Sequence, residues 1–307
     1  MKFLVFSDLH HNRDLFLSGT AEDVRAFQRR AVEQECDFII HCGDFSFGDP
    51  TDLPLIREYN AFSVPSYHTL GNHDADRTPF PQMLEHLGLE NNYYYFDVKG
   101  YRIIVLDACY HFDGEQYYHF TSENDPAPKP QEPFESEIVP PEELVWLEET
   151  IALAEGPCIV LSHHSFEREY GGVKNYDSVR KIINEANRRK PHSVLLCLNG
   201  HYHIDHLRLL DNVLYFDVNS VKYYWVGGKG HDFYPEELCR GFSRQRHTLT
   251  YNDPLCAVVT IEGTHIKIEG AESSLLLGVT KEMTGLPNLD DMIRLVTARI
   301  QSLDITL

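Results

Sequence analysis

The amino-acid sequence predicts an α/β fold, and two observations carry that reading. Short apolar runs bordered by Gly or Ser recur along the 307 residues, at Lys2–Phe6, Phe38–His41, Ser66–Leu70, Cys158–Leu161 and Val194–Leu198. Runs of that length with those borders read as buried strands. Between the first two lies Thr20–Glu35, where Val24, Phe27, Ala31 and Val32 fall at helical spacing. Strand, helix, strand is a βαβ opening, and in such sheets chemistry collects beyond the carboxyl ends of the strands.

Taken in chain order, the run at 2–6 leads into Ser-Asp-Leu-His-His. The helix over 20–35 has Thr20 and Asp23 placed as an N-cap pair. The run at 38–41 leads into Cys-Gly-Asp-Phe, and that at 66–70 into Gly-Asn-His-Asp. Residues 110–141 then form an aromatic, acidic, Pro-rich insertion, and a loop of that length inside a domain marks a lid or a structureless stretch. The expectation is that this insertion sets substrate choice. Pro141–Leu153 reads as a second helix, with Glu142 and Glu143 in the first turn where the helix dipole favours negative charge. The run at 158–161 leads into Ser-His-His-Ser, Asp177–Arg189 reads as a third helix, and the run at 194–198 leads into Asn-Gly-His-Tyr-His. Beyond Asn212, Val213–Val218 and Cys256–Thr260 read as strands, and Thr264–Ile268 alternates after the Gly263 turn as the second arm of a hairpin. Residues 222–253 form a loop of mixed aromatic, Gly and basic residues. In the tail, 271–307, Leu289, Met292, Ile293 and Val296 fit a helix and Ile300–Leu307 an edge strand. The chain reads as one domain, 1–270, with the tail packed on it.

Composition is that of an ordinary globular chain, 42% hydrophobic and 24% charged, long enough to bury a core without disulfide staples. Lys plus Arg number 27 against 47 Asp plus Glu, a formal net charge of −20. Such a surface repels polyanions, which excludes extended duplex DNA or an anionic membrane as the main partner. A small anionic substrate is still permitted, because bound divalent cations reverse the sign locally. Seven scattered cysteines with apolar neighbours and no Cys-x-x-Cys read as buried, reduced thiols of a cytoplasmic protein. The apolar run at the N-terminus is too short for a secretory signal, and no window reaches the length of a membrane span.

The chemistry lies in the residues directly after the strands. Asp8 and His10 stand two apart, which puts a carboxylate and an imidazole on one side. Asp44 follows Gly43, and Asn72, His73 and Asp74 follow Gly71. Asp74 is placed to orient His73, as carboxylates often orient imidazoles. His163 and His164 end a buried run, and His201 and His203 end another. Each motif alone has an ordinary reading as a turn or a hydrogen-bonded surface pair. Two Asp, one Asn and four His, each directly after an apolar run, are a different matter. This oxygen and imidazole donor set, without thiolate, suits Mn, Fe, Zn or Co. A pair of such ions sharing Asp44 would use all seven groups.

The five blocks SDLH, CGDF, GNHD, SHHS and NGHYH, in this order, resemble those of the calcineurin-like metallophosphoesterase superfamily, over residues 1–270. The resemblance implies a four-layer αββα sandwich, two mixed β-sheets flanked by helices, with two divalent or trivalent transition-metal ions. It implies that Asp8, His10, Asp44 and His203 hold one ion. Asp44, Asn72, His163 and His201 hold the other, and His73 is the catalytic histidine that does not ligate. Substrate phosphate would lie between the ions, attacked by a metal-bridging hydroxide, and His11, Asn72 and His164 are placed to touch it. The fourth block departs from the His-x-Pro or His-His-Pro form at Ser165, Asn199 stands where Ser or Thr is common, and the 110–141 insertion replaces a short loop.

The expected activity is hydrolysis of a small phosphodiester or phosphomonoester, with cyclic nucleotides and glycerophosphodiesters among the classes considered. A nuclease, a protein phosphatase and a non-catalytic metal-binding scaffold are the alternatives. The intact His73 speaks against the scaffold, and the acidic charge against a nuclease unless Lys222, Lys229, Arg240, Arg244 and Arg246 gather at one mouth. Tyr223, Tyr224, Trp225 and Tyr234, beside those cations, keep a nucleotide substrate in view because aromatic faces stack bases.

Overall fold

The computed structural model describes residues 1–11, 14–120, 128–167, 172–227, 233–284 and 296–307. Two six-stranded mixed sheets face each other. The first runs in the order β19 (Leu303–Thr306), β16 (His265–Glu269), β15 (Ala257–Glu262), β1 (Lys2–Phe6), β2 (Phe38–His41), β3 (Ser66–Tyr67). The second runs β11 (His206–Leu210), β12 (Val213–Asp217), β10 (Val194–Asn199), β9 (Cys158–Leu161), β5 (Tyr101–Val105), β4 (Tyr94–Val98). Strands β1, β2 and β3 are mutually parallel, and so are β5, β9, β10 and β12. Antiparallel strands close both edges of the second sheet and one edge of the first.

The apolar runs are continuous rather than alternating because both faces of each sheet are covered. Phe3 and Val5 point into the core between the sheets, with Val105, Leu161 and Leu198 from the opposite side. Leu4 and Phe6 point the other way, under Val24 and Phe27 of α1 (Ala21–Glu33) and beneath α2 (Leu53–Asn60) and α3 (Phe80–Leu87). On the far face, α4 (Pro141–Ala152) and α5 (Tyr176–Arg189) bury Leu147, Ile151, Val179 and Ile183 against Ile104 and Val160. The result is the four-layer αββα sandwich.

The expected capping pair opens α1. The Thr20 hydroxyl accepts from the backbone N–H of Asp23, and the Asp23 carboxylate accepts from that of Thr20. Three expectations differ from the structure. The run at 66–70 is a strand only over Ser66–Tyr67, since it pairs on one side alone and His68 leaves the ladder to bond other side chains. The insertion at 110–141 is partly a small sheet of β6 (Tyr110–Phe112), β7 (Tyr117–His119) and β8 (Glu135–Ser136). It is pinned through His119, whose Nε2 lies 2.8 Å from the buried Asp107 carboxylate. Helices α2 and α3 and the β4–β5 hairpin go beyond the elements expected from sequence.

Five short elements complete the chain. Strand β13 (Tyr223–Trp225) pairs with β14 (Thr248–Thr250), and α6 (Glu236–Gly241) lies between them. Strand β17 (Ala271–Glu272) pairs with β18 (Arg299–Ile300), which leads the tail back to β19. The edge strand expected in the tail is therefore present, while Leu289, Met292 and Ile293 lie outside the described residues. No helix among the described residues is long and apolar enough to cross a membrane. All seven cysteines are buried and unpaired.

Candidate metal centre

The loops after β1, β2, β3, β9 and β10 meet at one end of the sandwich, because parallel strands present their carboxyl ends together. Backbone hydrogen bonds lace the first two loops, from Asp8 N–H to Gly43 O, 3.1 Å, and from His10 N–H to Asp44 O, 3.0 Å. Asp8, His10, Asp44, His201 and His203 all have left-handed backbone conformations, with φ of 51°, 44°, 51°, 70° and 54°. Each costs on the order of 1–2 kcal/mol for a residue with a side chain, so the surrounding loops are holding the donors against their own preference. Close approach also dictates two glycines. A Cβ on Gly43, φ 94°, would run into the His163 ring, and one on Gly71 would collide with the Asp44 carboxylate.

Two groups of donors form. In the first, Nε2 of His203 lies 3.2 Å from Asp8 Oδ1 and 3.3 Å from His10 Nε2. In the second, Asn72 Oδ1 lies 3.0 Å from His201 Nδ1 and 3.2 Å from His163 Nε2. Asp44 Oδ2 stands between them, 3.4 Å from His10 Nε2 and 3.1 Å from His163 Nε2. The backbone helps aim these atoms. Asp44 Oδ1 accepts from His73 N–H at 2.8 Å, leaving Oδ2 for the centre. Asp8 Oδ2 accepts from His201 N–H and from the Ser7 hydroxyl, leaving Oδ1 buried with no hydrogen-bond partner.

The imidazoles are oriented in the same manner. His163 Nδ1–H donates to Cys42 O and His203 Nδ1–H to Tyr223 O, each at 2.7 Å, so both Nε2 atoms carry lone pairs toward the centre. Converging lone pairs and an unpartnered buried carboxylate oxygen are an arrangement that cations satisfy and protein hydrogen bonds do not. The donor set therefore fits the two ions expected from the sequence. Burial opposes ionisation of Asp8, but His203 and His10 outweigh it and hold its carboxyl well below the usual range. Burial likewise opposes ionisation of Asp44, and His163, His73 and His10 overcome it.

The structure alters three site readings. Asp74 does not touch His73. Its carboxylate is buried, and accepts backbone N–H bonds from Asp44, Ser46 and Gly71 at 2.9–3.0 Å, so it braces the loops. Burial and the Asp44 charge push its carboxyl up to about 7. The carboxylate that meets His73 Nδ1 is Asp76, at 2.8 Å, one helical turn onward in a segment where any acid two residues later looked equivalent. His11 bonds Gly19 O and faces a separate small cavity beside Asp49 and Asp52. His164 is fully buried with neither ring nitrogen hydrogen-bonded, 4.4 Å between ring centroids from His201, and does not line the main cavity. It forms a third imidazole group with His163 and His201.

Above the donors opens a cavity of about 420 Å³, whose floor includes His10, Asp44, His73, His201 and His203. Its walls are Phe47, Tyr202, Tyr223, Tyr224, Trp225 and Arg244. None of the described residues of 110–141 lines it, whereas Tyr223, Tyr224, Trp225 and Arg244 of the 222–253 loop do. Among the described cations of that loop only Arg244 lines the cavity, while Lys222 is buried 3.6 Å from Asp23 and Arg246 pairs with Glu236; Lys229 lies outside the described residues. Two other histidines are accounted for by satisfied bonds. His41 Nδ1 accepts from Gly43 N–H, His41 Nε2 meets His68 Nδ1 at 2.7 Å, and His68 Nε2 meets Asn60 Oδ1 at 2.6 Å.

Carboxylate, imidazole and amide donors gathered at the strand ends of an αββα sandwich define a metal-dependent hydrolase. Residues 1–205 match the sequence profile of the calcineurin-like phosphoesterases, and the chain belongs to that family. It is a metallophosphoesterase, a phosphoric ester hydrolase of a dimetal-dependent family. The fold is similar to that of a dimetal phosphatase from Danio rerio, with 14% identity and a TM-score of 0.59 over 90% of this chain and 98% of that one. It is also similar to GAP50, the anchor in the inner membrane complex of Plasmodium, with 13% identity and a TM-score of 0.52 over 88% of this chain and 84% of that one. Among curated proteins, none matches the chain in sequence.

Proposed function

We propose that this chain hydrolyses a small phosphomonoester or phosphodiester at a centre of two transition-metal ions. The observation that supports this most is the convergence of seven ligand-capable side chains at one end of the sandwich, four of which (His10, Asp44, His201 and His203) reach the floor of one small cavity. Asp8, His10, Asp44 and His203 would hold one ion, and Asp44, Asn72, His163 and His201 the other. Such a pair supplies charge neutralisation of the phosphate and an acidified water at neutral pH. The chain's own residues do the rest. Asp44 Oδ2 faces both groups and sets their spacing. Hydrogen bonds to Cys42 O and Tyr223 O hold His163 and His203 in the tautomer that presents Nε2.

His73 is the proton donor of this reading. Its side chain is 40% exposed at the cavity floor, and Asp76 takes Nδ1–H, so the proton to be given sits on Nε2. Burial works against the imidazolium, but the charges of Asp44 and Asp76 more than compensate and raise its pKa. A cavity of this size suits a small molecule, within the ~300–1,000 Å³ of ordinary ligand pockets, and not a protein or duplex surface.

The test is a screen of Mn-reconstituted protein against bis-nitrophenyl phosphate, nitrophenyl phosphate, cyclic nucleotides and glycerophosphodiesters, each with and without chelator. Chelator-sensitive release from at least one of the small esters is expected. No release from any of them, with two metals bound, would overturn the reading.

A further inference from the structure

Resting on that reading, we infer that the substrate is a nucleotide, its base stacked on Trp225 and a phosphate oxygen taken by Arg244. Trp225 is 44% exposed, the one tryptophan at the surface of the cavity, in a chain that has two. Its ring neighbours those of Tyr223 and His247, 6.3 Å and 6.1 Å between centroids. Its position is built. Trp225 stands opposite Thr248 in the β13–β14 ladder, and the next residue's N–H donates to His247 O at 2.7 Å. Two residues before it on the same strand face is Tyr223, whose ring packs 4.9 Å from that of His203 and 5.6 Å from that of His10. Two strand residues span roughly 6.6 Å, about the reach of a sugar. A phosphate at the donors therefore carries its sugar past Tyr223 and its base to Trp225.

Arg244 supplies the second half of the argument. In a chain of net charge −20, its guanidinium has no carboxylate partner among the described residues. It lies instead over the Phe47 ring, 4.7 Å from the centroid. The same ring packs 4.9 Å from His10 and 5.0 Å from His73. Its backbone is anchored, with Arg244 N–H donating to Asp14 O. The neighbouring Gln245 side chain is buried, accepting from Phe16 N–H and donating to Thr250. Cation–π attraction holds a guanidinium over an aromatic face, and its N–H groups match phosphate oxygens. A fixed cation beside the donors and an exposed indole one sugar's length away select a nucleotide over a glycerol or alkyl phosphoester.

The indole itself reports the answer. Trp146 lies in α4 against Tyr93 and Tyr95, on the outer face of the other sheet, so Trp146→Phe leaves Trp225 as the single tryptophan. In that background, adenosine monophosphate and cyclic adenosine monophosphate are titrated against Mn-loaded and metal-free protein, with ribose phosphate and inorganic phosphate as base-free controls. Quenching by the adenosine compounds and not by the controls is expected. Base stacking is typically worth roughly tenfold or more in affinity. Trp225→Ala should accordingly lower the ratio of kcat/KM for adenosine monophosphate over ribose phosphate about tenfold, with Trp225→Phe restoring most of it. Arg244→Ala should raise KM for both. No base-dependent quenching, or an unchanged ratio in Trp225→Ala, overturns the inference while leaving phosphoesterase activity intact. Absence of hydrolysis of every ester tested would instead fail the underlying reading.

Discussion

The division of labour between neighbouring residues is the finest feature of the centre. Asp44 presents one oxygen to the backbone and the other to both donor groups. Asp44→Asn should therefore lower the content of both ions, from about two per chain by the two-metal argument. Elemental analysis that found one site untouched would remove Asp44 as the bridge. His73 differs, because its ring meets Asp76 rather than the donors. His73→Ala should keep metal content close to normal while slowing the reaction. General-acid catalysis is worth ~10²–10⁴-fold, and the loss should concentrate on an alkyl ester, since a nitrophenolate leaves without a proton. Equal loss on both esters would assign His73 to phosphate binding instead.

At the scale of the element, α4 carries an unusual first turn. Glu143 is buried, its Oε1 accepting from Asp107 N–H at 2.6 Å and its Oε2 without a partner. Burial, and then the adjacent Asp107 charge, push its carboxyl well above the ordinary value. A carboxyl whose folded pKa is raised holds more protons in the folded state. Its contribution to stability is thus complete below the unfolded value near ~4.3 and declines as pH rises toward the folded one. Wild type should melt lower at about pH 8 than at about pH 5.5. Glu143→Gln keeps the acceptor and removes the titration, so it should narrow that gap. An unchanged gap in thermal melts at the two pH values would count against it. The acidic first turn that read as favourable to the helix dipole is, for this residue, governed by burial.

For the whole molecule, the tail matters more than its length suggests. Strand β19 covers the edge of β16, and Leu303 and Ile305 pack on the core between the sheets. Truncation after Gln301 would uncover that edge and half-buried apolar surface worth about 2–3 kcal/mol. The melting temperature should fall by roughly 3–5 °C and association should rise, since a bare edge strand recruits another. Size-exclusion chromatography and thermal melts read both, while metal content should be unaffected because every donor lies before residue 204.

The metal donors were legible in the sequence because each ends a strand, and parallel strands deliver their ends to one place whatever the loops do. The same locality made β1, β2, β9, β10, α1, α4 and α5 readable from periodicity and caps. Asp8, His10, Asp44, Asn72, His163, His201 and His203 needed only their order and the apolar runs before them. The surroundings of the donors were not legible. Asp74 and Asp76 are equivalent on paper, and only the turn after Gly71 decides that the first braces backbone N–H groups and the second meets His73. His11 and His164 adjoin ligands in the chain, yet side chains of consecutive residues diverge, so one faces another cavity and the other the interior. The insertion at 110–141 is the more conspicuous of two equally long loops, yet among the described residues it is Tyr223, Trp225 and Arg244 of the other that line the cavity. Composition attracts notice to a loop, but which loop reaches the site is settled by pairing over long sequence separations, β13 with β14 and Phe47 beneath Arg244, and that is decided by the tertiary structure alone.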